Sequence, residues 1–206
     1  MRTSAKLGLA ALAATLLLAS AISSASARSF SATTSGLRAT FTRLEFTNET
    51  GFGFVSCSVT LEGSFHSRTI AKTAELIGAI TRVDIRRPCT GGEGIARTET
   101  LPWHVTYFGF IGNLPNISIL ILLLSRLRFD ISAPGLCDGE YGNATDNIRG
   151  EATREAGGGI TTLAPSNDRA SLIRTNSGFC PSRGGFRGNA TITALNSASR
   201  ITITLI

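Results

Sequence analysis

Residues that carry chemistry are scarce in this 206-residue chain. It has two histidines, His66 and His104, one tryptophan, one methionine and four cysteines. No H-x-x-x-H, C-x-x-C or G-x-S-x-G motif occurs. The ligand spacings of common zinc sites and the nucleophile elbow of the serine hydrolases are therefore both missing. Lysine is nearly absent, and eighteen of the twenty basic residues are arginine. The arginines are dispersed, with only Arg86 and Arg87 adjacent, whereas nucleic-acid binders gather such charge on one face beside aromatics. Past the first 27 residues no apolar run is long enough to span a bilayer as a helix. Ile117 to Leu124 is too short, and the closing Ile201 to Ile206 alternates with threonine.

What is present begins with an address. Arg2 and Lys6 precede an unbroken run of apolar and small residues from Leu7 to Ile22, and Ala25-Ser26-Ala27 supplies small residues at the positions a signal peptidase reads. Residues 1–27 are predicted to be a cleaved secretory signal helix. No cysteine stands near the cleavage point and no arginine pair precedes the apolar run, which argues against lipidation and twin-arginine export. Residues 28–206 would then form one soluble domain of formal charge +4, large enough to bury a core, located outside the cytoplasm or in the cell envelope.

Export changes the meaning of Cys57, Cys89, Cys137 and Cys180. An even cysteine count in an oxidising compartment reads as two disulfides. Three pairings are possible. The sequential one, Cys57–Cys89 with Cys137–Cys180, is expected because each pair brackets one or two antiparallel strands.

Period-two alternation runs through the mature chain. Val55, Cys57, Val59, Leu61, Gly63 and Phe65 share one face of a strand, with serine, threonine and glutamate on the other. Ile77, Ala79, Val83 and Ile85 oppose Arg82, Asp84 and Arg86, and Leu101, Trp103, Val105 and Tyr107 oppose His104 and Thr106. Residues 117–131 read as one long strand with apolar odd positions, although Leu120, Leu123, Leu124 and Leu127 would also align on a helix. Turn clusters such as Thr90-Gly91-Gly92-Glu93-Gly94, Ala133-Pro134-Gly135 and Pro181-Ser182-Arg183-Gly184-Gly185 divide the chain into about nine to eleven strands. The expected fold is all-β, an antiparallel two-sheet β-sandwich, with a closed β-barrel as the alternative. The cysteine–tryptophan spacing of immunoglobulin domains is absent.

Each candidate site has an ordinary structural explanation beside it. His66 and His104 are the only residues for a histidine base, and their places at a strand end and on a polar strand face fit solvent-facing roles. Asp138, Gly139, Glu140, Asn143, Asp146 and Asn147 form the densest group of oxygen ligands, but without EF-hand spacing, and such clusters are common in turns. Glu62, Glu75, Glu140, Glu151 and Glu155 could supply a carboxylate pair for glycoside cleavage only if two converge on a groove. Trp103 and Tyr107 are expected in the core, with Phe108 and Phe110 on the opposite face. Four N-x-[ST] sequons begin at Asn48, Asn116, Asn143 and Asn189. No catalytic, cofactor or metal residues are assigned.

Leu101-Pro102-Trp103-His104-Val105-Thr106-Tyr107, followed by Leu114-Pro115-Asn116-Ile117, resembles a group of small secreted proteins of high-GC actinobacteria. So do Leu61-Glu62-Gly63-Ser64-Phe65-His66, Cys180-Pro181-Ser182 and Arg200-Ile201-Thr202. The resemblance implies export and a β-rich fold with no established enzyme activity. The expected function is a non-enzymatic binding or structural module of the envelope or extracellular space. A cell-wall polymer or glycan is the candidate partner, and no nucleic acid or cofactor is expected. The alternative is a secreted glycan or ester hydrolase using a histidine or a carboxylate pair.

Overall fold

The computed structural model describes residues 29–48, 53–70, 74–113, 116–142, 147–166, 170–176 and 179–205. The expected signal peptide lies outside them. The strands in chain order are β1 (Phe30–Ala32), β2 (Gly36–Asn48), β3 (Gly53–Phe65), β4 (Thr69–Ile70), β5 (Glu75–Thr90), β6 (Glu93–Ala96), β7 (Trp103–Asn113) and β8 (Asn116–Ser125). They continue as β9 (Arg128–Ala133), β10 (Cys137–Gly142), β11 (Ile148–Arg154), β12 (Gly159–Ser166), β13 (Ala170–Thr175), β14 (Arg183–Arg187), β15 (Ala190–Ala194) and β16 (Ile201–Leu205). Among the described residues the only helical turn is the short 3-10 segment Thr98–Thr100.

The fold is all-β, but the expected two-sheet sandwich gives way to a closed barrel. Strands β2, β3, β5, β7, β8, β11, β12 and β15 follow one another around the wall, each antiparallel to the last. β15 then closes the ring, pairing with β12 through Leu163↔Ala190 and with β2 through Ala190↔Phe41. Eight strands make an interior that side chains can fill or that can hold one small ligand.

The remaining strands are insertions, and their placement follows from the up-and-down path. β6, the β9–β10 pair and the β13–β14 pair each interrupt a connection at the end of the barrel where β2 turns into β3, called here the upper end. They join edge to edge as β14-β13-β10-β9-β6, extending the sheet from the upper part of β2 into a cap. β2 serves both units because it is bulged between Phe41 and Leu44. Below the bulge it pairs β15 and above it β14. Gly188 lets the chain step between them at φ 150°, where a Cβ would collide with the carbonyl oxygen of Arg43. β1, β4 and β16 close the lower end.

Bulges move side chains that simple alternation misplaces, because one extra residue exchanges the faces of a strand. In β5, Gly63 opposes Ile80 but Leu61 opposes Val83, so the interior set is Ile80, Val83 and Ile85, with Ala79 on the other face. In β7, a bulge at Phe108 leaves that ring 53% exposed and returns Phe110 to the interior face, opposite Leu120. Phe108 and Phe110 therefore do not share a face. Residues 117–131 are two strands rather than one. Arg126, at φ 67°, separates β8, which turns Leu120 and Leu124 inward, from β9, which buries Phe129 and Ile131.

The core has two centres. At the lower end Phe30 meets Tyr107 and Phe65 edge-on, at ring separations of 5.2 and 6.2 Å. Beneath the cap, Phe46, Phe129, Tyr141 and Phe186 form a second aromatic group. The disulfides Cys57–Cys89 and Cys137–Cys180 both lie in the upper half. The Tyr141 hydroxyl, fully buried, donates to the carbonyl of Pro181 at 3.0 Å, beside Cys180. Tyr141→Phe is expected to destabilise the protein by about 1 kcal/mol, the usual net value of such a bond. Urea unfolding should show a lower midpoint at unchanged slope.

Candidate functional site

The two ends of the barrel differ. The lower end is filled by Phe30 and its neighbours, while the upper end holds an apolar chamber of about 110 Å3. Its walls come from two units of the fold. The barrel contributes Val59, Leu61, Val83, Trp103 and Leu124, and the cap contributes Gly94, Ala96, Phe129 and Phe186. Among the described residues Arg149 is the one charged residue lining it, and its guanidinium pairs with Glu151 at 2.9 Å. Cys57 lines the chamber too, so the Cys57–Cys89 disulfide ties the barrel wall to the base of the β5–β6 turn.

Trp103, the only tryptophan, is held rigidly at this wall. Its indole Nε1 donates to Thr100 Oγ1 at 2.9 Å, and that hydroxyl donates to the Arg97 carbonyl at 2.7 Å. Trp103 is 3% exposed and Tyr107 fully buried, so both belong to the interior.

A polar groove of about 270 Å3 covers the outer face of the cap. Two cross-strand rows build it. Ile95, Asp130, Glu140 and Arg174 stand opposite one another across β6, β9, β10 and β13. Glu93, Ser132 and Asp138 form the second row, closed by Asn176, whose Nδ2 donates to Asp138 Oδ2 at 3.4 Å. Ion pairs hold three of the carboxylates: Arg97 with Asp130 at 2.8 Å, Arg128 and Arg174 with Glu140 at 3.2 and 3.9 Å, and Arg87 with Glu93 at 3.8 Å. Hydrogen bonding to Asp130, and next its charge, hold the Arg97 pKa above the ordinary guanidinium value.

The residues singled out from sequence scatter over the molecule. His66 lies exposed beyond β3 at the lower end, whereas His104 is half-buried on the outer wall near the upper end, where Arg126 Nη1 donates to its Nε2 at 3.4 Å. Glu62 pairs with Arg38 and Arg82, Glu151 with Arg149, and Glu155 with Arg200, while Glu75 begins β5 in solvent. Of the five glutamates only Glu140 faces the groove. Its neighbour there is Asp130, which local sequence does not single out because the two meet only through the β9–β10 register. Asp138 and Glu140 lie on a strand, Asn147 is exposed, and Asn143 and Asp146 lie outside the described residues. No group of three or more His, Cys, Asp or Glu is placed to hold a metal ion among the described residues, and no helix among them is long and apolar enough to cross a membrane.

Fold and site together define the class: a closed, capped antiparallel barrel with an apolar chamber at one end. Compared with known proteins, the chain matches no family model, no curated protein and no solved structure.

Proposed function

We propose that this chain is an exported, non-enzymatic binding protein that holds a small apolar group in the upper chamber. The chamber carries the reading. Its walls are almost wholly hydrocarbon, it sits at the end of a closed barrel, and an inserted cap covers it. Apolar cavities of this scale stay dry and take up molecules such as benzene. Two disulfides and the lack of a membrane-spanning helix among the described residues are compatible with work outside the cell. The two carboxylates that meet in the groove, Asp130 and Glu140, are each engaged by an arginine, Arg97 at 2.8 Å and Arg128 at 3.2 Å.

The test uses Trp103 as reporter. 1-Bromohexane quenches an indole it touches. Burial of a hexyl chain at about 0.8 kcal/mol per methylene is worth roughly 4–5 kcal/mol. Saturable quenching with Kd of about 0.1–1 mM is expected. Ala96→Phe, which fills the chamber, should abolish it, and Leu124→Ala, which enlarges the chamber, should leave quenching saturable. Linear, unsaturable quenching of the wild-type protein would refute the reading.

A further inference from the structure

Chamber and groove are not separate features. Ile95, on β6 and 43% exposed, lines both, on the groove side beside Asp130 and on the chamber side beside Gly94 and Ala96. Alternation along β6 produces this arrangement. Gly94 and Ala96 face the chamber, Glu93 and Ile95 face the groove, and the chamber reaches Ile95 where β6 ends the sheet. The hydrocarbon-lined chamber and the groove dense in hydrogen-bonding groups therefore adjoin at Ile95.

We infer that the ligand is an amphiphile with a short hydrocarbon tail in the chamber and an uncharged, hydroxyl-rich head, such as a sugar ring, in the groove. This rests on the proposed role of the chamber and adds the identity of the head. The charge pattern selects it. Every carboxylate in the groove already has a partner: Asp130 has Arg97, Glu140 has Arg128 and Arg174, Glu93 has Arg87, and Asp138 has Asn176. Four carboxylates, Glu93, Asp130, Asp138 and Glu140, stand with four arginines, Arg87, Arg97, Arg128 and Arg174, so no net charge in the groove favours an ionic head of either sign. A hydroxyl displaces none of these partners. It donates to a carboxylate oxygen and accepts from a guanidinium N–H, and both kinds of group line the groove. Ring hydroxyls also reproduce the hydrogen bonds of the waters they replace, whereas an apolar head would not.

The experiment compares ligands with one tail and different heads on the oxidised protein: hexyl β-D-glucoside, 1-hexanol, hexyltrimethylammonium and hexyl sulfate, each below its micellar concentration, displacing 1-bromohexane from Trp103. The glucoside is expected to bind at least tenfold tighter than hexanol and both ionic heads. Asp130→Asn and Glu140→Gln should each remove most of that advantage while leaving 1-bromohexane quenching unchanged. If either variant fails to fold, nuclear Overhauser contacts between sugar ring protons and the Ile95 methyls of the wild-type protein provide the same test. Equal binding of glucoside and hexanol would overturn the head assignment while the chamber reading stands, as would preference for either ionic head. Failure of every hexyl compound to displace or match the bromohexane signal would overturn both.

Discussion

Phe30→Ala is expected to destabilise the protein by about 3–5 kcal/mol, the range for truncating a fully buried aromatic ring. Phe30 has no exposed surface, and its ring meets two others at near right angles, Tyr107 at 88° and Phe65 at 74°. Edge-to-face contacts of this kind add about 0.5–1.5 kcal/mol each beyond the area buried. The strand that carries the ring is only three residues long, with β16 on one side and β4 on the other. Little else fixes it, so relaxation around the cavity would loosen the whole lower closure. Chemical denaturation monitored at Trp103 should show the loss. A change below 1 kcal/mol would mean that the lower closure unfolds separately from the barrel.

Removing the disulfides should be nearly as costly, and the two should differ in consequence. Their sequence separations are 32 and 43 residues, so each restricts the unfolded chain by about 4 kcal/mol in the loop-entropy account. Cys57 lines the chamber and Cys89 leads into the turn before β6, whose Gly94 and Ala96 form the opposite wall. A Cys57→Ala/Cys89→Ala protein is expected to lose 1-bromohexane binding at temperatures where circular dichroism still shows a folded barrel. A Cys137→Ala/Cys180→Ala protein should melt earlier yet bind normally while folded, since neither of its cysteines lines the chamber. Equal effects on binding would show that the chamber does not depend on the anchorage of β6.

Much of the strand content was legible locally. The alternation of Val55, Cys57, Val59, Leu61 and Phe65 is the alternation of the buried face of β3, because a half-buried strand writes its environment at period two. Legibility failed where that period slips. In β5 and β7 the bulges exist only relative to partner strands, and nothing around Thr81 or Phe108 announces them. Residues 119–124 are apolar on both parities, so which parity β8 turns inward was hidden among equally apolar choices. The groove was half visible: Glu140 stood among the candidate carboxylates, but its meeting with Asp130 and Arg174 depends on the registers of two strand pairs. The chamber was invisible, since its walls are ordinary apolar residues from distant strands.

The sequence by itself determined that this is a β protein with a strand-forming, alternating core and four cysteines available for two bridges. Those properties live in short windows, where side-chain period and turn chemistry act directly on the backbone. Tertiary structure decided that the sheet closes rather than splitting into two layers, because closure requires one short strand, β15, to satisfy the edges of both β2 and β12 at once. It also decided that the insertions gather at one end, leaving that end hollow beneath a cap while Phe30 fills the other. A sandwich and a barrel present the same alternation to a reader of single strands, and only the pairing of residues far apart in the chain distinguishes them.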